Sequence, residues 1–128
     1  MEKLAIAMSG GVDIQSFPSS WYMESKLGSQ AEYPERWEEF CVMNQLYRLK
    51  PTSIRILFDC GTSDFFYPMN QRLHEQMVYR RIEHDFISRP GGHTWDYWTN
   101  SIKFQLVFFD NYFQDMAAAA KKEAEKAK

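Results

Sequence analysis

Three short segments of this chain have the pattern of β-strands, and longer mixed segments separate them. They cover residues 3–8, 54–59 and 83–88, and the middle segment is almost wholly apolar. A short apolar run of this kind is typical of a strand that a parallel sheet buries on both faces. The sequence therefore predicts three β-strands at these positions.

Three of the mixed segments have the spacing of α-helices. Residues 35–47 begin with acidic side chains, which favour a helix start, and continue with an apolar face. Pro68 suits the first turn of a second helix that runs to about residue 81, with an apolar face of Met69, Leu73, Met77 and Val78. A third helix is predicted over residues 96–115. One face is marked by Ile102, Leu106, Phe109 and Phe113. Trp98, Phe108 and Tyr112 widen that face, so we expect this helix to be heavily buried.

Two segments have neither pattern. Residues 14–34 form a long irregular stretch, and loops of this length often cap binding sites, so Trp21 and Tyr22 are candidates for a lid. Residues 117–128 are rich in Ala, Lys and Glu and have no apolar stripe beyond alanine. Their sequence is a strong helix former, and we interpret them as a solvated extension, frayed or disordered, that follows a single domain of residues 1–116.

The order of these elements predicts the fold class. Strands that alternate with helices imply right-handed crossovers, and therefore a three-layer α/β arrangement around a parallel sheet of three strands. Ligand sites in such sheets lie at the carboxyl ends of the strands. Ser9, Asp64 and His93 each follow a predicted strand, so all three are expected at that edge.

Composition and charge exclude several classes of partner. The net charge is −2 and no basic stripe alternates with aromatics, which argues against nucleic acid, and no segment approaches the length of a membrane span. Aromatic residues make up 16% of the chain, more than so short a chain can cover, which favours a homo-oligomer. No secretory signal is recognisable. We therefore expect a cytoplasmic protein if Met1 is the true start, and secretion is open if a preceding half carries a signal.

Cysteine and histidine positions indicate neither a metal nor a cofactor. Cys41 and Cys60 lack metal-ligand spacing and are expected to be free, buried thiols. His74 is predicted to be a solvated residue in the middle of a helix, and His84 lies at the end of the sheet opposite the expected site. The histidines form no ligand-spaced cluster, so we expect no metal site.

Asp64 and His93 have the placement of an acid–base pair. Each follows a strand, and two glycines precede the histidine, which frees its loop to turn the ring toward a neighbouring strand end. In an acyl-transfer relay a carboxylate orients the histidine that removes the proton from a serine. The alternatives are a turn or N-cap aspartate and a loop histidine bonded to a carbonyl.

The residues around this pair resemble a known family. Gly61-Thr62-Ser63-Asp64, Asn70, Leu73, and Arg89-Pro90-Gly91-Gly92-His93-Thr94-Trp95 with Trp98 are similar to the C-terminal half of the esterase-D-like and feruloyl/acetyl-xylan esterase group of α/β-hydrolases. Residues 8–13, Met-Ser-Gly-Gly-Val-Asp, resemble the sixth strand of that family and its turn. The resemblance implies the last three strands of an α/β-hydrolase, with Asp64 as the acid and His93 as the base of a Ser-Asp-His triad.

The nucleophile of such a triad is the open question. Family members carry a Gly-x-Ser-x-Gly elbow before the region that this chain matches, and no such motif is present. Ser9 in Ala7-Met8-Ser9-Gly10-Gly11 fits a relaxed form of the motif, but an elbow needs a helix directly after the serine, and Pro18 and glycines follow instead. Ser9 is therefore expected to line the pocket, as is Trp95.

These observations predict a carboxylic ester hydrolase whose nucleophile-bearing half is absent, so that the chain alone hydrolyses little. Its substrates would be small esters or acylated carbohydrates, without a cofactor. One alternative is a non-catalytic remnant that self-associates through its exposed sheet edge. Another is a minimal hydrolase that uses Ser9 itself.

Overall fold

Three parallel strands form one sheet in the computed structural model, which describes residues 3–50 and 54–127. The strands are β1 (Lys3–Met8), β2 (Ile54–Gly61) and β3 (Asp85–Arg89). They lie in the order β1-β2-β3, and both pairings are parallel. The predicted α/β architecture with a three-stranded parallel sheet is confirmed, although β2 continues to Gly61 and β3 begins only at Asp85.

The central strand β2 carries the core of the sheet. Its second half is buried, and an ion pair at 3.3 Å joins Asp59 to Arg89 on β3. Arg89 is paired in register with Gly61, which has no side chain, so the guanidinium group can lie diagonally across to Asp59. A buried carboxylate requires such a partner, because its desolvation is costly. The ion pair therefore ties β2 to β3 at the end where both strands finish.

The helices differ from the prediction mainly at Cys41, where α2 ends. They are α1 (Met23–Leu27), α2 (Pro34–Phe40), α3 (Tyr67–Tyr79) and α4 (Trp95–Lys126), together with two 3-10 segments, Ile14–Ser16 and Val42–Arg48. The predicted single helix over 35–47 is wrong, because Cys41 adopts an extended conformation (φ −82°, ψ 119°) that ends α2. The stretch 14–34 is also less irregular than predicted, since it contains α1.

The main hydrophobic core lies between β2, α3 and the segment after β1. Met69, Leu73 and Met77 repeat every four residues along α3 and are buried, whereas Val78, predicted to join them, is 57% exposed. The buried cluster consists of Val12, Leu46, Phe58, Cys60, Phe66, Met69, Leu73, Met77 and Ile82. Cys41 and Cys60 are both free and buried, as predicted.

The chain divides into two compact units at His93, and the second unit, Thr94–Lys128, consists mainly of α4. The side chain of Thr94 caps α4 by accepting a hydrogen bond from the Tyr97 N–H at 3.3 Å. α4 continues through this alanine-rich sequence to Lys126 and residues 117–127 are exposed, so the tail is helical and solvated, and the predicted fraying is not observed. Alanine has the highest helix propensity, so the helix continues without an apolar stripe. Lys128 lies outside the described residues.

The predicted heavy burial of α4 through its most apolar face is also wrong. Leu106 and Phe113 are 57% and 61% exposed, and Ile102 is exposed as well. The buried positions of α4 are Tyr97, Ser101, Gln105 and Tyr112, and of these only Tyr112 belongs to the predicted face. Within residues 3–50 and 54–127, no helix combines the length and apolarity needed to cross a membrane.

Replacement of Phe58 by alanine should strongly destabilise the fold. Its ring is 1% exposed and stacks on Phe86, with centroids 4.8 Å apart. We expect Phe58→Ala to lower the free energy of unfolding by about 3–5 kcal/mol, measured by urea titration with circular dichroism. Tyr79→Ala is the control, because Tyr79 is 83% exposed, and a change within about 0.5 kcal/mol is expected. Equal losses in the two variants would contradict this account of the core.

Candidate active site

The parallel pairing of β2 and β3 brings Asp64 and His93 together. Both strands end at the same edge, since Gly61 is in register with Arg89. The loops that follow remain joined, because the Thr62 N–H donates to the Arg89 carbonyl and the Ser63 N–H to the Gly91 carbonyl, each at 2.9 Å. The pairing of the two strands therefore extends into the loops that carry the acid and the histidine.

A glycine is required where the histidine loop turns. Gly91 has a φ of 138°, a conformation that residues with a Cβ rarely adopt. The Gly91 carbonyl accepts the hydrogen bond from the Ser63 N–H in this conformation. The chain can then reverse within two residues and place His93 beside Asp64, as the glycine pair in the sequence indicated.

Asp64 holds the imidazole of His93 by one hydrogen bond. Asp64 Oδ2 lies 2.9 Å from His93 Nδ1, and Asp64 Oδ1 accepts from the Phe66 N–H at 2.8 Å. The carboxylate is fully buried, whereas the imidazole is 31% exposed. Because a carboxylate only accepts hydrogen bonds, Nδ1 carries the proton, and in the neutral ring Nε2 is then the basic nitrogen. This is the arrangement in which a histidine can act as a general base.

Two phenylalanines that directly follow the acid fix the ring of His93. The Phe65 ring lies 4.7 Å from it, centroid to centroid, and the Phe66 ring meets it edge to face at 5.4 Å. Phe66 is buried in the core, but Phe65 is 52% exposed. One ring therefore joins the imidazole to the core, and the other covers it from the solvent side.

An apolar cavity of about 300 Å³ lies next to Phe66, one of the two rings that contact His93. The remaining lining residues are Gly11, Asp13, Ile14, Phe17, Trp21 and Met23. Trp21 stacks roughly parallel to Phe65, with centroids 6.4 Å apart and an interplanar angle of 21°. The aromatic wall therefore continues from the histidine into the cavity.

Trp21 and Tyr22 differ in what they can contact. Trp21 lines the cavity, whereas Tyr22 is 87% exposed. Both have positive φ values, 52° and 55°, which are unusual for bulky residues and cost about 1–2 kcal/mol each. Backbone strain of this kind is often found where a side chain must be held in a functional position. Phe17, which also lines the cavity, was not among the predicted site residues, although it lies four residues before Trp21 in the sequence.

Ser9 lies at the end of β1 but is not placed as an exposed nucleophile. It is only 4% exposed, and its side chain is hydrogen-bonded to that of Cys60. Its N–H donates to the Asp59 carbonyl at 2.7 Å. Its φ of 48° is strained, as in a sharp turn, but the next helical segment starts only at Ile14. No helix follows directly to support a nucleophile at this position.

The remaining candidate residues lie elsewhere. Trp95, predicted to bind substrate, is the first residue of α4, is 79% exposed and packs edge to face on Trp98. Its role in binding stays a prediction. His74 is not solvated as predicted, because its Nδ1 lies 2.8 Å from His84 Nε2. His84 Nδ1 bonds the Ile82 carbonyl at 2.7 Å, so the pair links α3 to the start of β3.

Metal ligands do not cluster in the part of the chain that the structure describes. No group of three or more His, Cys, Asp or Glu side chains there could hold an ion. The chemistry available at the strand ends is therefore that of a carboxylate, an imidazole and an apolar cavity.

Comparisons with known proteins agree with the fold described above. The family model described as "Putative esterase" matches residues 3–109. The solved structure of FphF, a fluorophosphonate-binding serine hydrolase of Staphylococcus aureus, is similar with a TM-score of 0.62 at 20% identity, over 82% of this chain and 43% of that one. A ferulic acid esterase gives a TM-score of 0.61 at 22% identity, over 82% of this chain and 40% of that one.

A third similar structure is S-formylglutathione hydrolase (FrmB) from Staphylococcus aureus. It gives a TM-score of 0.55 at 19% identity, over 82% of this chain and 43% of that one. Among curated proteins, none matches the chain. At these identities the three structures establish the fold, and the chain spans about two fifths of the length of each.

Removal of Asp64 should change which nitrogen of His93 carries the proton. In the unchanged chain we expect the Nδ1–H form to predominate when the ring is neutral, because Oδ2 accepts from it. In Asp64→Ala the Nε2–H form should predominate. Two-bond ¹H–¹⁵N correlation spectra distinguish the two forms. Asp85→Ala, which removes an exposed carboxylate from β3, is the control and should leave His93 unchanged. The same spectrum in all three proteins would refute the hydrogen bond.

The thiol of Cys60 should be inert in the folded protein. Burial, with the nearby Asp64 charge, raises the pKa of Cys60 from 9.0 to about 12, and burial raises the pKa of Cys41 as well. We expect neither thiol to react with Ellman's reagent at pH 8 in the folded protein, and both to react in urea. Rapid reaction of either thiol with Ellman's reagent in the folded protein would contradict the burial of Cys41 and Cys60.

The pH dependence of stability should follow from the same burial. The Cys60 thiol ionises above pH 9.0 in the unfolded chain and only near 12 in the folded one, so the free energy of unfolding should fall as pH rises through this window.

Proposed function

This chain belongs to the esterase family, and we propose that it carries the acid and base of a serine-dependent carboxylic ester hydrolase. One observation supports the proposal above all. The buried carboxylate of Asp64 lies 2.9 Å from His93 Nδ1, at the carboxyl ends of adjacent parallel strands. Family membership makes an ester the expected substrate, and the pair supplies the proton transfers that ester hydrolysis requires.

The proposed reaction assigns the proton transfers to Nε2 of His93, the ring nitrogen opposite the one that Asp64 holds. This nitrogen takes the proton of a serine hydroxyl while the serine oxygen forms a bond to the ester carbonyl carbon. Asp64 stabilises the resulting imidazolium through Nδ1–H. The imidazolium then returns its proton to the departing alcohol oxygen as the ester C–O bond breaks. A water molecule, deprotonated in the same way, cleaves the acyl-serine and releases the carboxylic acid.

We propose that the serine comes from a polypeptide segment other than the one described here. Ser9 is buried, is bonded to Cys60 and lacks a helix directly after it. A nucleophile elbow needs such a helix to support the turn and stabilise the oxyanion. The chain also covers only 40–43% of the three similar structures. These observations support a chain that hydrolyses little by itself.

The cavity indicates where one side of the ester would bind. Its lining is mostly apolar, with Phe17, Trp21 and Phe66 as its aromatic walls, and Phe66 also touches the ring of His93. An apolar or aromatic acyl group of a small ester or acylated carbohydrate fits such a lining. The positive φ of Trp21, which lines the cavity, is consistent with this role, because strained backbone is common at functional positions.

A second candidate function is favoured by the free edge of the sheet. The apolar residues of β1, from Leu4 to Ala7, are only partly buried, and within the described residues β1 pairs with β2 alone. An apolar edge strand of this kind can pair with another chain. The alternative is therefore a non-catalytic protein that self-associates through β1.

The chain alone should turn over p-nitrophenyl acetate no faster than its His93→Ala variant. This expectation follows from the missing nucleophile. Turnover that survives Ser9→Ala and is lost in His93→Ala would reveal an unrecognised nucleophile. Turnover that is lost in Ser9→Ala, with labelling of Ser9 by a fluorophosphonate probe, would make Ser9 the nucleophile. Either result would overturn the proposal about the serine.

The acid–base role needs a protein that contains the nucleophile. If the DNA upstream of Met1 encodes an in-frame Gly-x-Ser-x-Gly segment, the extended protein should hydrolyse acetyl or feruloyl esters. We expect His93→Ala to lower its kcat at least about 10³-fold and Asp64→Ala by a comparable factor. His74→Ala is the control, because His74 bonds His84 away from the strand ends, and it should retain activity. Full activity in His93→Ala would exclude the proposed base.

A further inference from the structure

The exposed face of α4 has the spacing of a helix–helix interface. Ile102, Leu106, Phe109 and Phe113 are separated by four, three and four residues. This is the spacing of core positions in a coiled coil, and we call these four residues the seam. Ile102, Leu106 and Phe113 are 39%, 57% and 61% exposed, and Phe109 stacks on Phe113 at 6.5 Å. A contiguous apolar stripe of this kind marks an interaction surface.

The seam is distinct from the buried positions of the same helix. Those positions, Tyr97, Ser101, Gln105 and Tyr112, lie about a quarter of a turn away from the seam at roughly 100° per residue. Two of them, Ser101 and Gln105, are polar, whereas every seam residue is apolar. The more apolar face of α4 is therefore the one left in contact with solvent.

Charges beside the seam identify the occupant that fits it. Lys103 and Asp110 each follow a seam residue directly, both are exposed, and seven residues, or about two turns, separate them. In an antiparallel pair of α4 helices, flanking positions of this type face each other across the seam. Lys103 then meets the partner's Asp110, and Asp110 meets the partner's Lys103. The sequence is therefore complementary to a second copy of itself.

A parallel pair would lose this complementarity. In a parallel pair, the residue that follows a seam position faces a residue that precedes a seam position on the partner. Asp110 would then lie beside the partner's Gln105. The antiparallel arrangement also aligns the seam into layers, with Ile102 against the partner's Phe113 and Leu106 against the partner's Phe109. Large and smaller side chains alternate across these layers, which favours close packing.

We propose that two copies of this chain associate through antiparallel pairing of their α4 seams. The association is independent of the proposed ester hydrolysis, because it requires neither His93 nor a nucleophile. The seam is short, with four layers, so the dissociation constant is expected on the order of micromolar.

Sedimentation of the whole chain over a concentration series tests the proposal. The unchanged chain should pass from the mass of one chain to that of two. Leu106→Glu, in the seam, should raise the dissociation constant at least about a hundredfold. Val107→Glu is the matched control, because Val107 is the next residue, is 60% exposed and lies outside the seam. It should leave the dissociation constant unchanged. Circular dichroism verifies that both variants remain folded.

A charge reversal tests the antiparallel arrangement. Asp110→Lys should weaken association about tenfold, because Lys103 then faces a like charge. The double variant Lys103→Asp with Asp110→Lys should restore it. A strict monomer at about a hundred times the expected dissociation constant would overturn the proposal. So would equal effects of Leu106→Glu and Val107→Glu, which would favour the sheet edge of β1 or another surface. Failure of the double variant would exclude antiparallel pairing.

Discussion

The parallel pairing of β2 with β3 is the constraint on which the candidate site depends. Parallel strands end at the same edge, so whatever follows Gly61 and Arg89 must emerge side by side. Backbone hydrogen bonds from the Thr62 and Ser63 N–H groups then extend the pairing past the strands. The distance between Asp64 and His93 is therefore fixed by the backbone, and the two side chains need little freedom to meet. A shift in register would separate them.

The effect of burial on the ionisable groups Asp64 and Cys60 depends on the hydrogen bonds that each one makes. The carboxylate of Asp64 is fully buried, but the Phe66 N–H and the His93 imidazole compensate for the lost water. Cys60 lies in the same environment with fewer compensating contacts, so its pKa rises to about 12 and the thiol stays neutral. Hydrogen-bond donors therefore offset the burial of the Asp64 side chain, whereas the Cys60 thiol, which has fewer such contacts, stays neutral.

Sequence patterns predicted the parts that depend on local chemistry. The apolar run of β2 and the glycines before His93 were sufficient to predict that Asp64 and His93 lie at one edge of the sheet, and the hydrogen bond between the two side chains agrees with that position. The cavity was not predictable, because its wall requires left-handed backbone at Trp21, which no residue type signals there. The pair of His74 and His84 was also missed, since it joins residues ten positions apart on different elements.

The error about α4 has a general physical cause. A 3.6-residue period shows which face of a helix is apolar, but it does not show which positions are buried. On α4 the two differ, because Ser101 and Gln105 are buried whereas Leu106 and Phe113 are exposed. The aromatic excess of the composition is thus partly located on this helix, where a monomer leaves it uncovered.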